Sequence, residues 1–323
     1  MDTAAFVARI EVEFANFRIP HPRLVEVGKR LDEMRNVAEA SRAEWIARGR
    51  PKKRMPMKFL PVIAPSGSGK STSVAMYLED VVGKEAFGKN HRPVVHVTLS
   101  SEATTKRLGS DILEEFGDPD PETGTAPQLM RRTYNALEVA ETDVLVIDEI
   151  QHLIHADTGQ RTAWSVTETL KRMLIRGACP LVLMGTPEAK SVLLSNNQMK
   201  QRALEPVFLE PLDIQVAEER TMFIEHVAGI DLKMVEHGLA QEPSGLVVGD
   251  LPACFYDVSK GVIGTVSNLV MVAAKHAARD GRRGVTREDL SHATRRWAIP
   301  TGISDHDPFA NGARDLKQLK AAA

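Results

Sequence analysis

The stretch Ala64-Pro-Ser-Gly67-Ser-Gly69-Lys70-Ser71 decides the fold. It follows the apolar run Phe59–Ile63 and opens a helical pattern that extends to Leu78, which is the context that a phosphate-binding loop requires. Its glycines allow backbone N–H groups to turn inward around phosphate oxygens, and a helix N-terminus adds partial positive charge. The stretch therefore predicts a nucleotide-binding α/β domain.

Each polar residue of this loop has a predicted task. Lys70 is expected to reach the β- and γ-phosphates of ATP, and the Ser71 hydroxyl is expected to coordinate Mg²⁺. The residues predicted to bind the nucleotide are Pro65, Ser66, Gly67, Ser68, Gly69, Lys70, Ser71 and Thr72, together with Asp148. The loop departs from the usual G-x-x-x-x-G-K-S pattern at one position, where Ala64 replaces the first glycine.

A second motif supplies the acidic groups that such a loop needs. The apolar run Val144–Ile147 predicts a buried strand, and Asp148 and Glu149 follow it directly. Ligands of open α/β sheets bind at the carboxyl ends of the strands. We therefore expect Asp148 to hold Mg²⁺, directly or through water, and Glu149 to act as the general base on an attacking water.

The patterns around these motifs alternate between strand and helix. Further strands are predicted at Val94–Leu99, Leu181–Met184 and Val207–Leu209, and further helices over residues 23–48, 102–116, 127–140 and 161–176. This alternation predicts a parallel sheet sandwiched by helices. In the C-terminal part, Val262–Ala278 predicts an apolar helix, and Thr286-Arg-Glu-Asp289 resembles a capping box.

The predicted organisation has four parts. Residues 1–58 form a helical and basic extension, with 13 Lys/Arg and 8 Asp/Glu, and residues 59–212 form the α/β core. Residues 213–299 form a small helical lid, and residues 300–323 form a flexible tail.

Composition excludes several classes of protein. The 323 residues are 43% hydrophobic and carry a net charge of −2, which argues against a disordered chain and against a uniformly basic DNA-coating protein. The two cysteines, Cys179 and Cys254, stand far apart and form no C-x-x-C motif, which argues against a disulfide scaffold and against a cysteine-built zinc site. The chain shows neither a signal peptide nor an apolar stretch of membrane-spanning length, so we expect a cytoplasmic protein without membrane contact.

Four weaker features leave alternatives open. Thr186 follows a predicted strand and could orient the attacking water or cap a helix, and Arg202 could serve a neighbouring subunit as an arginine finger or remain solvated. The basic segment Gly49–Arg54 is either a solvated turn or an arm that contacts phosphate or a partner. Residues 275–299, with 7 Lys/Arg and 3 Asp/Glu, could contact nucleic acid or form a solvated helix face.

Together these residues resemble the TniB/TnsC group of transposon-encoded AAA+ ATPases. The resemblance rests on Ile19-Pro-His-Pro22, a basic helix, Met55-Pro56, the phosphate loop, Ser100–Lys106, Ile147-Asp-Glu-Ile150, Gly185-Thr186 and Arg202, in that order. It covers roughly residues 18–298. The loop and the acidic pair are typical of P-loop ATPases in general, and the flanking segments favour the transposition group.

The resemblance implies an α/β core with a helical lid and nucleotide bound between subunits. Proteins of this group are ATP-dependent regulators of transposition that assemble on double-stranded DNA as rings or helical filaments. They act with a DDE-type transposase and can connect to a TniQ-like targeting protein. By the same resemblance, Ile19–Pro22 would lie near the adenine, and Thr105 and Lys106 would contact the DNA backbone.

One departure from the family bears on activity. The segment Gly261–Ser267 lacks the arginine that many AAA+ lids place after a sheet-facing glycine, so we expect slow ATP hydrolysis. Two alternative functions stay open at this stage: an AAA+ ATPase that acts on protein partners, as in secretion or loading, and an ATP-binding scaffold with little hydrolysis. A small-molecule kinase fits less well, because no basic acceptor-binding lid is evident.

Overall fold

The computed structural model describes residues 3–80, 82–84, 91–101, 104–153, 160–190, 193 and 197–315. The chain forms two compact units. The sheet unit comprises residues 23–66 and 70–209, and the helical unit comprises residues up to 22, residues 67–69 and residues from 210 onward. Within the described ranges we find no helix with the length and hydropathy that a membrane crossing needs.

Five parallel strands form the sheet unit's central layer. They are β1 (Phe59–Ile63), β2 (Val94–Thr98), β3 (Val144–Asp148), β4 (Leu181–Gly185) and β5 (Val207–Phe208). Their order across the sheet is β2-β3-β4-β1-β5, and all pairings are parallel. The predicted α/β fold with a parallel sheet is confirmed.

Helices cover both faces of this sheet. They are α2 (Pro22–Ala47), α3 (Lys70–Asp80), α4 (Thr105–Glu115), α5 (Ala126–Val139), α6 (Gln160–Arg176) and the short α7 (Asn197–Lys200). Successive side chains of a strand point to opposite faces. Leu145 and Ile147 of β3 therefore join a core with α4, α5 and α6, whereas Val144 and Val146 join another with α2 and α3.

The helical unit is built around a separate apolar core. Its helices are α1 (Thr3–Asn16), α8 (Ala217–Glu236), α9 (Leu251–Ser259), α10 (Ile263–Arg279), α11 (Arg287–Ala293) and α12 (Pro308–Asn311). The predicted capping box is confirmed: Thr286 accepts a hydrogen bond from the Asp289 N–H, and Asp289 accepts one from the Thr286 N–H at 2.9 Å. It fixes the start of α11.

The N-terminal segment differs from the predicted extension over residues 1–58. Residues up to 22 belong to the helical unit, whereas residues 23–58 belong to the sheet unit. The physical reason is α1, whose Phe6 and Ile10 are buried in the core of the helical unit. Lys275 Nζ of α10 also donates to Glu11 at 2.6 Å.

The described part of the predicted flexible tail, residues 300–315, is packed. Phe309 is buried and meets the ring of Phe255 edge-on at 5.3 Å. Arg314 pairs with the fully buried Asp257 at 2.7 Å and with the exposed Asp305 at 2.8 Å. A buried Asp257 carboxylate without a cation would destabilise the fold. Because Arg314 supplies that cation, the pair holds residues 300–315 against the helical unit. Residues 316–323 lie outside the described residues.

The Arg314–Asp257 pair yields a stability prediction. Arg314→Ala leaves Asp257 buried without its guanidinium, so the free energy of unfolding should fall by about 3 kcal/mol in urea titrations. Asp305→Ala is the matched control, because it removes only the exposed partner and should cost less than about 0.5 kcal/mol. Equal, small effects of both substitutions would show that this pair does not anchor the segment.

Candidate active site

The predicted site residues of the sheet unit converge at the carboxyl edge of the sheet. Ile63 of β1 pairs with Gly185 of β4, and Thr98 of β2 pairs with Asp148 of β3, so these strands end side by side. Ser71, at the start of α3, donates a hydrogen bond to Asp148 across this edge. The structure thus brings together two motifs that lie far apart in the sequence.

The backbone explains why alanine can replace the first glycine of the loop. Gly67 and Gly69 have φ values of +79° and +86°, in the left-handed region that favours glycine. Ala64 has no positive φ, and its N–H donates to the Gly185 carbonyl at 3.0 Å, which continues the strand pairing. The position therefore needs a small residue but not a glycine.

Lys70 lies buried at the base of the loop. Its Nζ donates to the carbonyl oxygens of Ala64 at 2.9 Å and Pro65 at 3.2 Å. Burial lowers the pKa of Lys70 from its ordinary value, against the opposing effect of Asp148 and Glu149. The Lys70 ammonium is therefore close enough to Asp148 and Glu149 for their negative charge to stabilise it.

The tip of the loop contains a buried hydroxyl, that of Ser68. Its Oγ has no hydrogen-bond partner among the residues that the structure describes, whereas the neighbouring Ser66 and Gly67 are exposed. Within the helical unit, the Gly264 N–H donates to the Gly67 carbonyl at 2.9 Å, and a Cβ at Gly264 would lie 2.6 Å from that oxygen. An unpartnered buried hydroxyl in a glycine-rich loop fits an anionic ligand.

Oxygen ligands suited to Mg²⁺ lie next to the loop. Ser71 Oγ is 2.5 Å from Asp148 Oδ2, and His96 Nε2 is 3.5 Å from the same oxygen. Burial raises the pKa of Asp148, but His96, Ser71 and the Glu149 N–H outweigh it, so the pKa lies below its ordinary value. The carboxylate is thus ionised, and the pair of hard oxygens fits the predicted metal.

Glu149 has an unusual backbone conformation. Its φ is +58°, in the left-handed region that non-glycine residues rarely adopt. Such strain occurs where the surrounding structure fixes a functional side chain. Here the Glu149 carboxylate accepts a hydrogen bond from the Gln151 amide.

Gln151 is a site residue that the sequence analysis missed. Its Oε1 accepts from the Thr186 N–H at 3.1 Å, while its Nε2 donates to Glu149, so one buried amide links β4 to the acidic pair. Gly185 makes room for it, since a Cβ there would lie 2.8 Å from Gln151 Oε1. The only sequence signal is a polar residue two positions after Glu149, which by itself has no specific meaning.

The remaining predicted residues lie elsewhere in the sheet unit. The Arg202 carbonyl accepts from the Phe59 N–H at 3.0 Å, which puts Arg202 at the amino end of β1, opposite Asp148. Lys106 is exposed in the first turn of α4, whereas Thr105 is half-buried and its hydroxyl contacts those of Ser165 and Thr169. The structure does not bring these residues to the site of their own chain.

Among the described residues, one cluster of side chains could hold a metal ion, but an arginine already pairs with its carboxylates. His276, Asp280 and Asp289 of the helical unit lie within reach of one ion. Arg282 donates to both carboxylates, at 2.7 Å and 3.1 Å, and thus already supplies their positive charge.

The left-handed conformation of Glu149 can be tested by stability. Glu149→Gly and Glu149→Ala remove the same carboxylate, but only glycine adopts this conformation without strain, so Glu149→Gly should be more stable by about 1 kcal/mol. Denaturant unfolding of the two variants measures the difference. At the helical control position Glu114, the order should reverse, with glycine less stable than alanine by about 0.5–1 kcal/mol. The same order at both positions would contradict the assigned backbone.

Several solved structures have a similar fold. They include the Aeropyrum pernix ORC2 protein in its ADPNP–ADP complexes, with a TM-score of 0.57 and 14% identity over 90% of this chain and 70% of that one. Pyrobaculum aerophilum Cdc6p has a TM-score of 0.55 and 13% identity over 96% and 87%. The Aeropyrum pernix ORC1 protein in complex with DNA has a TM-score of 0.53 and 19% identity over 83% and 65%. At these identities the likeness establishes the fold.

Sequence comparison gives the family. No curated protein matches the chain significantly. The family described as "Bacterial TniB protein" matches residues 30–213, which is more than half of the chain and includes the phosphate loop, the acidic pair and Gln151. The resemblance to the TniB family noted from the motifs is confirmed, and the chain belongs to that family.

Proposed function

We propose that this protein is an ATP-dependent, DNA-binding regulator of DNA transposition. It hydrolyses ATP with Mg²⁺, oligomerises on target duplex DNA, and recruits or activates a DDE-type transposase. Membership of the TniB family and the P-loop ATPase fold support this proposal. The observation that carries it is the contact of Ser71 with Asp148, directly beside Lys70 and Glu149.

The chemistry follows from these side chains. The loop amides and Lys70 bind the phosphates, and Ser71 and Asp148 hold Mg²⁺, which when bound offsets negative charge on the phosphate oxygens. Glu149 accepts a proton from the attacking water, and Thr186 orients that water. Arg202 lies at the opposite edge of its own sheet, which supports a role in the site of a neighbouring subunit.

We expect this hydrolysis to be slow. The segment Gly261–Ser267 contains no arginine, whereas many AAA+ lids supply one to sense the nucleotide. A slow ATPase suits a switch that times assembly and release.

DNA contact is proposed at the N-terminal turn of α4. A cavity of about 420 Å³ is lined there by the hydroxyl residues Ser100, Ser101, Thr104 and Ser110, with the charged residues Lys106, Arg107 and Glu122. Arg107 is paired with Asp111 and Glu122, whereas Lys106 has no carboxylate partner among the described residues. Lys106 is therefore the cation available for a phosphate, and Thr105 is a weaker candidate because its hydroxyl is already engaged.

Assembly is the link between ATP and DNA in this proposal. A ligand that binds at a subunit interface favours the assembled state, so ATP would stabilise the oligomer on DNA and hydrolysis would release it. The DNA complex of the Aeropyrum pernix ORC1 protein is a related precedent for DNA contact by this fold. A transposase and a TniQ-like targeting protein are the proposed partners of the assembled form.

Variants at the site test the hydrolytic mechanism. Lys70→Ala should abolish ATP binding, measured with a fluorescent ATP analogue, because the phosphates lose their buried cation. Glu149→Gln should still bind ATP but release phosphate about 10²–10⁴-fold more slowly, because the general base is lost. Removal of Mg²⁺ with EDTA should stop hydrolysis, and Lys29→Ala serves as the control. Wild-type turnover by Glu149→Gln would exclude Glu149 as the base.

DNA dependence tests the transposition role. A random-sequence duplex should support large assemblies with ATP but not with ADP or without nucleotide, seen by electron microscopy, and the assemblies should weaken with salt because phosphate contacts release counterions. Lys106→Ala should reduce this assembly, and Lys29→Ala should not. If duplex DNA neither supports assembly nor stimulates hydrolysis, the protein acts instead on protein partners.

A further inference from the structure

A dense basic segment lies at the amino ends of the strands, here called the amino edge of the sheet. The candidate active site lies at the opposite, carboxyl ends of the strands. Residues 48–58 contain six Lys or Arg and no acidic residue, in a chain whose net charge is −2. The segment runs from the end of α2 to the start of β1. A strand of five residues separates it from the acidic pair by about 17 Å. The proposed ATPase chemistry does not use these cations.

This segment is fixed to the sheet unit and is not a free arm. Trp45 Nε1 donates to the Pro51 carbonyl at 2.8 Å, and the Met57 N–H donates to the Leu174 carbonyl at 2.8 Å. Gly177 permits the close approach of the chain, since a Cβ there would lie 2.3 Å from the Met55 carbonyl oxygen. The cations are therefore held at defined positions.

A reversal of the chain after α2 brings the basic residues back over Trp45. Gly49 and Arg50 have φ values of +74° and +56°, and the Arg50 N–H donates to the Trp45 carbonyl at 2.9 Å. A left-handed pair of this kind ends a helix and turns the chain sharply. The turn explains why Arg50 and Arg54 come back to the Trp45 ring.

Aromatic rings orient the guanidinium groups of this surface. Arg54 lies over Trp45 with 3.8 Å between the guanidinium carbon and the ring centroid, and Arg176 lies over Tyr134 at 4.2 Å. Arg50 is 5.6 Å from the Trp45 ring. Stacking fixes the plane of a guanidinium and leaves its N–H edge available for a bidentate anion.

A cavity of about 470 Å³ opens among Arg50, Lys52, Arg54 and Arg176. The acidic residue that lines it is Glu138, which accepts from Arg54 at 2.5 Å. The other three cations have no carboxylate partner within the part of the chain that the structure describes. The cavity thus carries a net positive charge that its own acid does not offset.

We propose that this amino-edge patch, defined as Arg50, Lys52, Arg54 and Arg176, binds the phosphodiester backbone of nucleic acid without reading sequence. Guanidinium forks match phosphate geometry, and the number of cations in residues 48–58 exceeds what a single small anion requires. Both rings already carry guanidinium groups, so they are poor platforms for unpaired bases, which favours a duplex. The choice of duplex DNA rests on the proposed function.

The test measures nucleotide-free binding of a labelled random 30-base-pair duplex by fluorescence anisotropy, across a salt series, with the full chain. Arg50→Ala/Lys52→Ala/Arg176→Ala removes the three cations without carboxylate partners and leaves the Arg54–Glu138 pair intact, so the fold should survive; urea unfolding checks this. The dissociation constant should rise about tenfold or more, and the slope of log K against log salt should fall by about 2–3.

Two comparison variants sharpen this test. The control variant Lys29→Ala/Lys200→Ala/Arg220→Ala also removes three positive charges, but from exposed positions outside the patch. It should leave DNA binding nearly unchanged. Arg50→Lys/Arg176→Lys keeps the positive charge but removes the two-pronged guanidinium groups that bind phosphate. It should weaken binding with only a small change in the slope of log K against log salt. Equal losses in both triple variants would mean that only total charge matters and would overturn the proposal.

The outcomes separate this proposal from the proposed function. If the patch variant binds like wild type without nucleotide, or if wild type shows no such binding, the patch proposal fails even where ATP-dependent assembly persists. If nucleotide-free binding depends on the patch but no ATP-dependent assembly forms, the patch stands and the proposed function fails. Poly-L-glutamate and unlabelled duplex can be compared as competitors at equal total charge. If poly-L-glutamate competes as well as the duplex, the patch fits an acidic protein partner, and the proposal is overturned.

Discussion

The parallel pairing of β1 with β4 and of β2 with β3 is the constraint on which the candidate site depends. Because Ile63 is opposite Gly185 and Thr98 is opposite Asp148, the phosphate loop, the acidic pair and Thr186 all leave the sheet at one edge. A slip of one residue would move every strand side chain to the other face and disrupt both apolar cores. Burial on both faces therefore fixes the register, and the register fixes the site.

The polar groups at this end of the sheet contact one another. Lys70 donates to the carbonyls of Ala64 and Pro65, Ser71 donates to Asp148, and Gln151 holds Glu149. Ser71 links α3 to Asp148, and Gln151 links Glu149 to the backbone of Thr186, so these hydrogen bonds hold in place the groups that the proposed mechanism uses.

Much of the sheet unit could be predicted because its signals are local. Buried parallel strands are continuous apolar runs, and the loop glycines have backbone requirements that few other residues meet. The capping box at Thr286 was predictable for the same reason, since its two partners lie three residues apart. The tolerance of Ala64 was not, because it depends on a φ angle and on a hydrogen bond from a distant strand.

The features that sequence reasoning missed arise from contacts between distant residues. Gln151 has a role only because Gly185 leaves space for it beside Thr186. The association of α1 with the helical unit depends on a core that its own fourteen residues do not specify. Arg314 orders the C-terminal segment through a carboxylate 57 positions earlier in the chain. Pattern and spacing along the chain carry no information on such pairings.

The two edges of the sheet carry opposite charge, and their separation has a consequence for regulation. The acidic pair Asp148 and Glu149 lies at the carboxyl ends of the strands, and the amino-edge patch lies at the amino ends. The length of a five-residue strand, about 17 Å, separates the two ends. This distance is about twice the Debye length at physiological ionic strength, so charges at the two edges scarcely sense each other through solvent. DNA bound at the patch would neither be repelled by the acidic pair nor perturb its ionisation. In the proposed function, subunit assembly would couple ATP to DNA, and Arg202, also at the amino end of β1, would meet a neighbour's nucleotide.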